Sequence, residues 1–100
     1  MDTGLSLDAT EKIQRTLSQF REIEKAVLYG SRAKGNYKAG SDIDLTLYGA
    51  GLSQETLMDV SIALDDLLLP YTIDLSIYAS LDSHALREHI DRIGLIFYQR

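Results

Sequence analysis

"GSRAKGNYKAGSDIDL", residues 30–45, decides how this chain folds. The segment leaves a short apolar run, KAVLYG at 25–30, through a Gly-Ser pair and enters a new pattern at Asp42-Ile43-Asp44. From there the residues alternate: Asp42, Asp44, Thr46 and Tyr48 fall on one side of an extended chain, and Ile43, Leu45 and Leu47 on the other. A strand over 42–48 therefore has one core face and one open face. Residues two apart on a strand point the same way and are separated by roughly 6.5–7 Å, so the two carboxylates reach toward one spot. At about 4 Å and an effective dielectric near 20 they repel by roughly 4 kcal/mol, comparable with much of a small domain's net stability. Either water keeps them apart, or a divalent cation sits between them.

The remaining chain supplies elements to pack around that strand. Ser6 or Asp8 caps a helix over about 8–22, with Ile13, Leu17 and Phe20 on one stripe. Residues 25–30 form a buried strand, and the Gly-, Lys- and Asn-rich 31–40 a helical turn followed by a loop. Ser53 starts a helix that Pro70 ends, with Leu57, Val60, Leu64 and Leu67 on one stripe and Met58, Ile62 and Leu69 on a second. That second stripe is expected to pack against a neighbouring helix; the alternative is a partner surface. YTIDLSIY, 71–78, alternates again, now with Thr72, Asp74, Ser76 and Tyr78 opposite Ile73, Leu75 and Ile77. Asp82 or Ser83 caps a helix carrying Leu86, Ile90 and Ile93 that closes at Gly94, and LIFYQ, 95–99, is a last strand. This order predicts a small α/β (α+β) domain, one sheet with helices packed on one face.

Composition sets outer limits. One hundred residues with no linker-like tract fit one domain, residues 1–100, and with 45% hydrophobic residues the chain can build one core. A domain of this size buries about 60–70% of its unfolded surface, a thin margin that a partner subunit would widen. There is no cysteine, which removes disulfides and thiolate zinc sites. A net charge of −5 argues against sequence-independent grip on nucleic acid through phosphates, so no direct nucleic-acid binding is expected. The opening MDTGLSLDATEK has no basic leader, and no apolar run is long enough to span a bilayer, so a cytoplasmic protein with no membrane partner is expected.

The chemistry-bearing residues fall into two groups. Asp74 repeats the pattern of Asp42 and Asp44 in the second alternating strand, so neighbouring strands in suitable register would put all three carboxylates on one polar face. Oxygen-only ligands favour Mg²⁺ or Mn²⁺ over zinc, with substrate phosphates completing the shell. Gly30 lets the backbone approach a ligand closely, and Ser31 is placed to cap the following turn, whose N–H groups suit an anion. Taken singly, a Gly-Ser is an ordinary turn, an Asp-x-Asp a solvated edge and a strand aspartate a polar surface. Their occurrence together with matching face parity is what points to a site. His84 and His89, five apart, lack the i, i+4 spacing of a zinc pair and read as surface or packing residues. Tyr37, in the loop, reads as local packing rather than a base-stacking platform.

Gly30-Ser31, ten residues, Asp42-Ile43-Asp44 and a later Asp74 resemble the hallmark of the DNA polymerase beta-type nucleotidyltransferase superfamily. The run YGSRAKG…GSDIDL and the ending REHIDRIGLIFYQ are more similar still to its minimal prokaryotic nucleotidyltransferases, single-domain proteins of about this length. The resemblance implies a polymerase beta palm-like fold with a mixed sheet and two Mg²⁺ ions (or Mn²⁺) on Asp42, Asp44 and Asp74. It implies further that Asp74 helps activate the attacking hydroxyl and that Gly30 and Ser31 hold a nucleoside triphosphate. Arg32, and less strongly Lys34, would neutralise the polyphosphate. Minimal members are commonly paired with a HEPN-domain protein. In such pairs the nucleotidyltransferase resembles an antitoxin that transfers AMP from ATP to a tyrosine of a ribonuclease toxin. Two alternatives are carried forward: a catalytically idle module that neutralises its partner by binding, and transfer to a small-molecule hydroxyl of the aminoglycoside type.

Overall fold

Ser6 opens the first helix of the computed structural model, which describes residues 2–100. Its Oγ accepts from the Ala9 N–H at 3.0 Å, and α1 (Leu7–Ser18) buries Ala9, Ile13 and Leu17 along one stripe. The helix ends earlier than its apolar pattern predicts. Ser18 Oγ donates back to the Arg15 carbonyl at 2.6 Å, and the chain turns so that Ile23, fully buried, fills the core in place of another helical turn.

Strand β1 (Lys25–Tyr29) runs into a single helical turn, α2 (Ser31–Lys34), and the loop that follows delivers β2 (Ile43–Tyr48). Helix α3 (Gln54–Asp65) is capped by Ser53, whose Oγ accepts from Thr56 N–H at 3.2 Å. It crosses over to β3 (Ile73–Ile77), a 3-10 turn follows at Tyr78–Ser80, and α4 (His84–Ile93), capped by Ser83, leads into β4 (Leu95–Gln99). The sheet order is β3-β2-β1-β4, with β2–β3 parallel and the other two pairs antiparallel. A parallel pair needs a long crossover, and α3 is that connection. The mixed α/β architecture expected from the sequence is therefore present. Among the described residues no helix is long and apolar enough to cross a membrane.

The two faces of the sheet are covered unequally. On one, α1 and α3 press Ile13, Leu17, Val60 and Leu64 onto Ala26, Leu28, Ile43, Leu45 and Leu47, and this is the main core. On the other, α4 covers only the β1 side, through Ile90 against Val27 and Tyr29. The expectation of helices on one face thus needs correction for α4. Val27 and Tyr29 alternate with Ala26 and Leu28, so β1 is apolar on both sides and needs cover on both. The second stripe of α3 is also corrected: Met58 and Ile62 are 66% and 54% exposed, whereas Leu69 packs against the core. Helix α3 stops at Asp65, well before Pro70, and Leu68 leaves it with a positive φ of 54° and its side chain in solvent.

Candidate active site

The parallel pairing of β2 with β3 places Asp44 opposite Asp74, and the antiparallel pairing of β1 with β2 places Tyr29 opposite Asp44. Paired residues share a face, so Asp44, Asp74 and Tyr29 stand together on the side that α1 and α3 do not cover. Asp42 lies one residue ahead of β2 and is exposed, as is Asp74, while Asp44 is half-buried. Beneath them Ser76 Oγ donates to Thr46 Oγ1 at 2.9 Å, which satisfies the buried Thr46 and ties the two strands together on the polar face.

Burial pushes the Asp44 carboxyl above its ordinary value, Asp74 and then Asp42 push it further, and the neighbouring His89 works the other way. Tyr29 is raised as well, first by burial, and Asp44 and Asp74 add to it against the opposing effect of Ser76. The two neighbouring carboxylates thus add to burial in making Asp44 harder to ionise. Among the described residues the ion pairs are Lys12–Asp8 and Arg92–Glu88, both i, i+4 pairs within helices, and neither reaches the aspartates. The cluster is left with an unneutralised negative charge.

Gly30 sits directly against it. Its φ of 75° and ψ of −155° suit glycine almost alone, and a Cβ here would run into Asp44 Oδ2. The backbone of the β1–α2 turn and the Asp44 carboxylate are packed as closely as a glycine permits. Gly30 itself is the N-cap of α2 and the turn has no side-chain capping bond, so the expectation that Ser31 caps it is corrected: Ser31 is the first helical residue.

His89 was not distinguished from His84 by the sequence. His84 is exposed at the start of α4, but His89 Nε2 accepts the Gly30 N–H at 3.3 Å, and its ring stands edge-on to Tyr29 with centroids 6.3 Å apart. A signal was present in the spacing, since His89 is three residues after Leu86 and adjacent to Ile90, on the inward stripe of α4.

Arg32 is placed elsewhere. It is 2% exposed, with Nε and Nη2 donating to the Ser41 carbonyl at 3.2 and 2.9 Å and Nη1 to the Thr3 carbonyl at 2.8 Å. The guanidinium lies between the rings of Tyr71 and Tyr37, 5.0 and 5.3 Å from their centroids. In this position the guanidinium is committed to backbone carbonyls rather than presented to a ligand. The residue turns inward and fastens both ends of the 36–41 loop to the amino-terminal segment. Tyr37 is local packing, its hydroxyl donating to Asp2 Oδ1 at 2.9 Å. Lys34 is exposed on α2.

The donor chemistry of the cluster, carboxylate oxygens only, fits a hard divalent ion. Among the described residues no three His, Cys, Asp or Glu side chains converge on a common ion position. Asp42 and Asp74 are both exposed, and Asp44 is half-buried between strands β1 and β3.

A sequence model of the polymerase beta nucleotidyltransferase family matches residues 11–100, and the chain belongs to that family. Comparison with curated proteins finds no match. Among solved structures, a toxin–antitoxin complex with AMP-PNP aligns at 22% identity and a TM-score of 0.74, covering 91% of this chain and 73% of that one. A tri-AMPylated Shewanella oneidensis HEPN toxin in complex with its MNT antitoxin aligns at 20% identity and TM-score 0.68, covering 92% and 71%. A minimal nucleotidyltransferase aligns at 23% and 0.69, covering 95% of each chain. At these identities the likeness is one of fold.

Proposed function

We propose that this chain transfers a nucleoside monophosphate, AMP from ATP, to a hydroxyl of a protein partner, a tyrosine of a HEPN-type toxin, and so acts as the antitoxin of a toxin–antitoxin pair. The observation that carries this reading is the in-register Asp44–Asp74 pair, with Asp42 beside it, unneutralised on the open sheet face against the Gly30 turn. Membership of the nucleotidyltransferase family supports the reaction class, and the AMP-PNP and AMPylated-toxin complexes among the structural neighbours support the donor and the acceptor.

Asp42, Asp44 and Asp74 would hold Mg²⁺, two ions, or Mn²⁺ in its place. When bound, such ions stabilise charge on the entering and leaving oxygens of an in-line displacement. The chain's own groups do the rest. Gly30 admits the triphosphate close to the backbone, and Ser31 offers a hydroxyl at the start of α2. Asp74, on the edge strand, accepts the proton of the acceptor hydroxyl. A bond forms between that oxygen and the α-phosphorus, the bond from the α-phosphorus to the bridging oxygen breaks, and pyrophosphate leaves.

The test is incubation with Mg²⁺, α-labelled ATP and a HEPN-domain protein from the same organism. Labelling of a partner tyrosine is expected, and Asp42→Asn or Asp44→Asn should each slow it on the order of a hundredfold or more. An unlabelled partner that is nonetheless neutralised by wild type and both variants alike would establish the idle binding module instead.

A further inference from the structure

Charge is divided along this chain. From Ala39 to Leu86 there is no lysine or arginine, yet eight of the fifteen acidic residues lie there. In the fold that block is β2, α3 and β3, one half of the sheet with its crossover helix. Four of the acids, Glu55, Asp59, Asp65 and Asp66, are exposed on α3 or at its end. Amid them Met58 and Ile62, one turn apart, are the exposed apolar pair already described, with Leu68 beyond at 88% exposure. Single exposed apolar residues are ordinary; an i, i+4 pair on a helix flanked by like charges is a coherent surface.

The same surface leads into the site. A groove of about 320 Å³ runs between α3 and the edge strand β3, lined by Leu57, Met58 and Ser61 on one side and Ile73, Asp74 and Leu75 on the other. An occupant of the groove would touch Met58 and Asp74 at once.

We infer that this groove, with the outer face of α3, is where the protein acceptor docks, and that the docking element is a basic amphipathic helix of the partner. Its apolar side covers Met58 and Ile62, its lysines and arginines meet the α3 acids, and its end presents the acceptor hydroxyl at Asp74. Complementary charge selects for such an element and speeds its arrival. The same acids repel nucleic acid. A small-molecule acceptor would have no use for an apolar surface this far from the carboxylates. The inference rests on the reading that the acceptor is a protein, and its test separates the two.

Binding of a HEPN-domain protein from the same organism is measured by calorimetry without nucleotide. Wild type is compared with the Met58→Asp/Ile62→Asp pair, the Asp59→Lys/Asp66→Lys pair and Asp42→Asn. All changed positions on α3 are exposed, and circular dichroism checks the fold. Each α3 pair is expected to weaken binding at least tenfold, wild-type affinity to fall several-fold between 50 and 300 mM salt, and Asp42→Asn to bind as wild type. Undiminished binding by both α3 pairs overturns the inference, as does no complex with wild type at 50 mM salt. A wild-type homodimer that Met58→Asp/Ile62→Asp converts to monomer also overturns it, by showing that a second copy covers the face. A complex that forms through α3 but carries no label with ATP sinks the catalytic reading and leaves the surface; full-rate labelling by the Met58→Asp/Ile62→Asp variant does the reverse.

Discussion

Gly30→Ala separates two jobs that one residue performs. The backbone at φ 75°, ψ −155° is open essentially to glycine, and holding an L-residue there costs on the order of 1–3 kcal/mol. The new Cβ would also meet the Asp44 carboxylate, whose Cγ would lie 3.2 Å away. These two conflicts resolve differently. The backbone is held between β1 and α2 and cannot relax without moving both, whereas the Asp44 side chain can rotate. Rotation relieves the contact but takes the carboxylate away from Asp74. The stability loss should therefore stay near the backbone figure, roughly 10 °C in melting temperature for a domain of this size, while nucleotidyl transfer falls on the order of a hundredfold at temperatures where the variant is fully folded. Gly35→Ala is the control, since that glycine also has a positive φ, 89°, but a Cβ there meets nothing within 4 Å. It should cost about 1–2 kcal/mol and leave transfer unchanged. Thermal melts and a labelled-ATP assay on both variants decide the matter. A Gly30→Ala protein that melts lower yet transfers at the wild-type rate would refute the argument that Gly30 sets the position of the Asp44 carboxylate.

Two further predictions concern charge. Because the folded state raises the Asp44 pKa, it holds that proton more tightly than the unfolded chain does; stability should fall as pH climbs from the ordinary carboxylate range through the raised value and stay lower above it. Asp44→Asn should flatten that slope and raise the melting temperature at pH 7, and Mg²⁺ should stabilise wild type but not the variant. Urea melts between pH 4 and 7 check this, and a variant less stable than wild type at pH 7 contradicts it. Arg32→Lys keeps the charge but loses the fork on the Ser41 carbonyl and the contact with Thr3, so about 2–4 kcal/mol of stability should go. Hydrogen exchange in the 36–41 loop should accelerate with it, and a wild-type melting temperature would sink the fastening role.

Much of this was legible in the sequence because strands report their faces through a period of two. The alternations at 42–48 and 71–78 told which residues face the core, and the serines at 6, 53 and 83 marked three helix starts, all of which cap as expected. The pairing of Asp44 with Asp74 was not legible. Alternation gives a strand its faces, not its neighbour, and the partner was set by the right length of α3 as a crossover and the burial it achieves. His89 was missed because its spacing from His84 was weighed against a metal site, while the informative spacing was to Leu86 and Ile90. The inward position of Arg32 was not legible either. A cation in a Gly- and Lys-rich segment is ordinarily solvated, and the carbonyls of Thr3 and Ser41 and the rings of Tyr37 and Tyr71 come together only in the fold.

The placement of Arg32 bears on the site it does not enter. Among the described residues it is the only charged side chain that is fully buried, and it is satisfied by neutral carbonyls and aromatic faces rather than by a carboxylate. Had that guanidinium been turned toward Asp44, it would have neutralised the cluster, lowered the carboxylate's pKa and stabilised the empty fold. It would also have occupied the oxygens that a divalent ion needs. With the arginine behind the loop and every other lysine and arginine outside residues 39–86, the three acids have no ion-pair partner among the described residues, and His89 alone opposes the rise at Asp44. The main core, pressed beneath the opposite face by α1 and α3, bears the resulting repulsion. A domain this small can carry that burden only while the carboxylates keep access to water, which is why Asp42 and Asp74 lie on the surface and Asp44 alone is half-buried. The same exposure leaves the cluster open to a cation and to the α3–β3 groove that Asp74 lines.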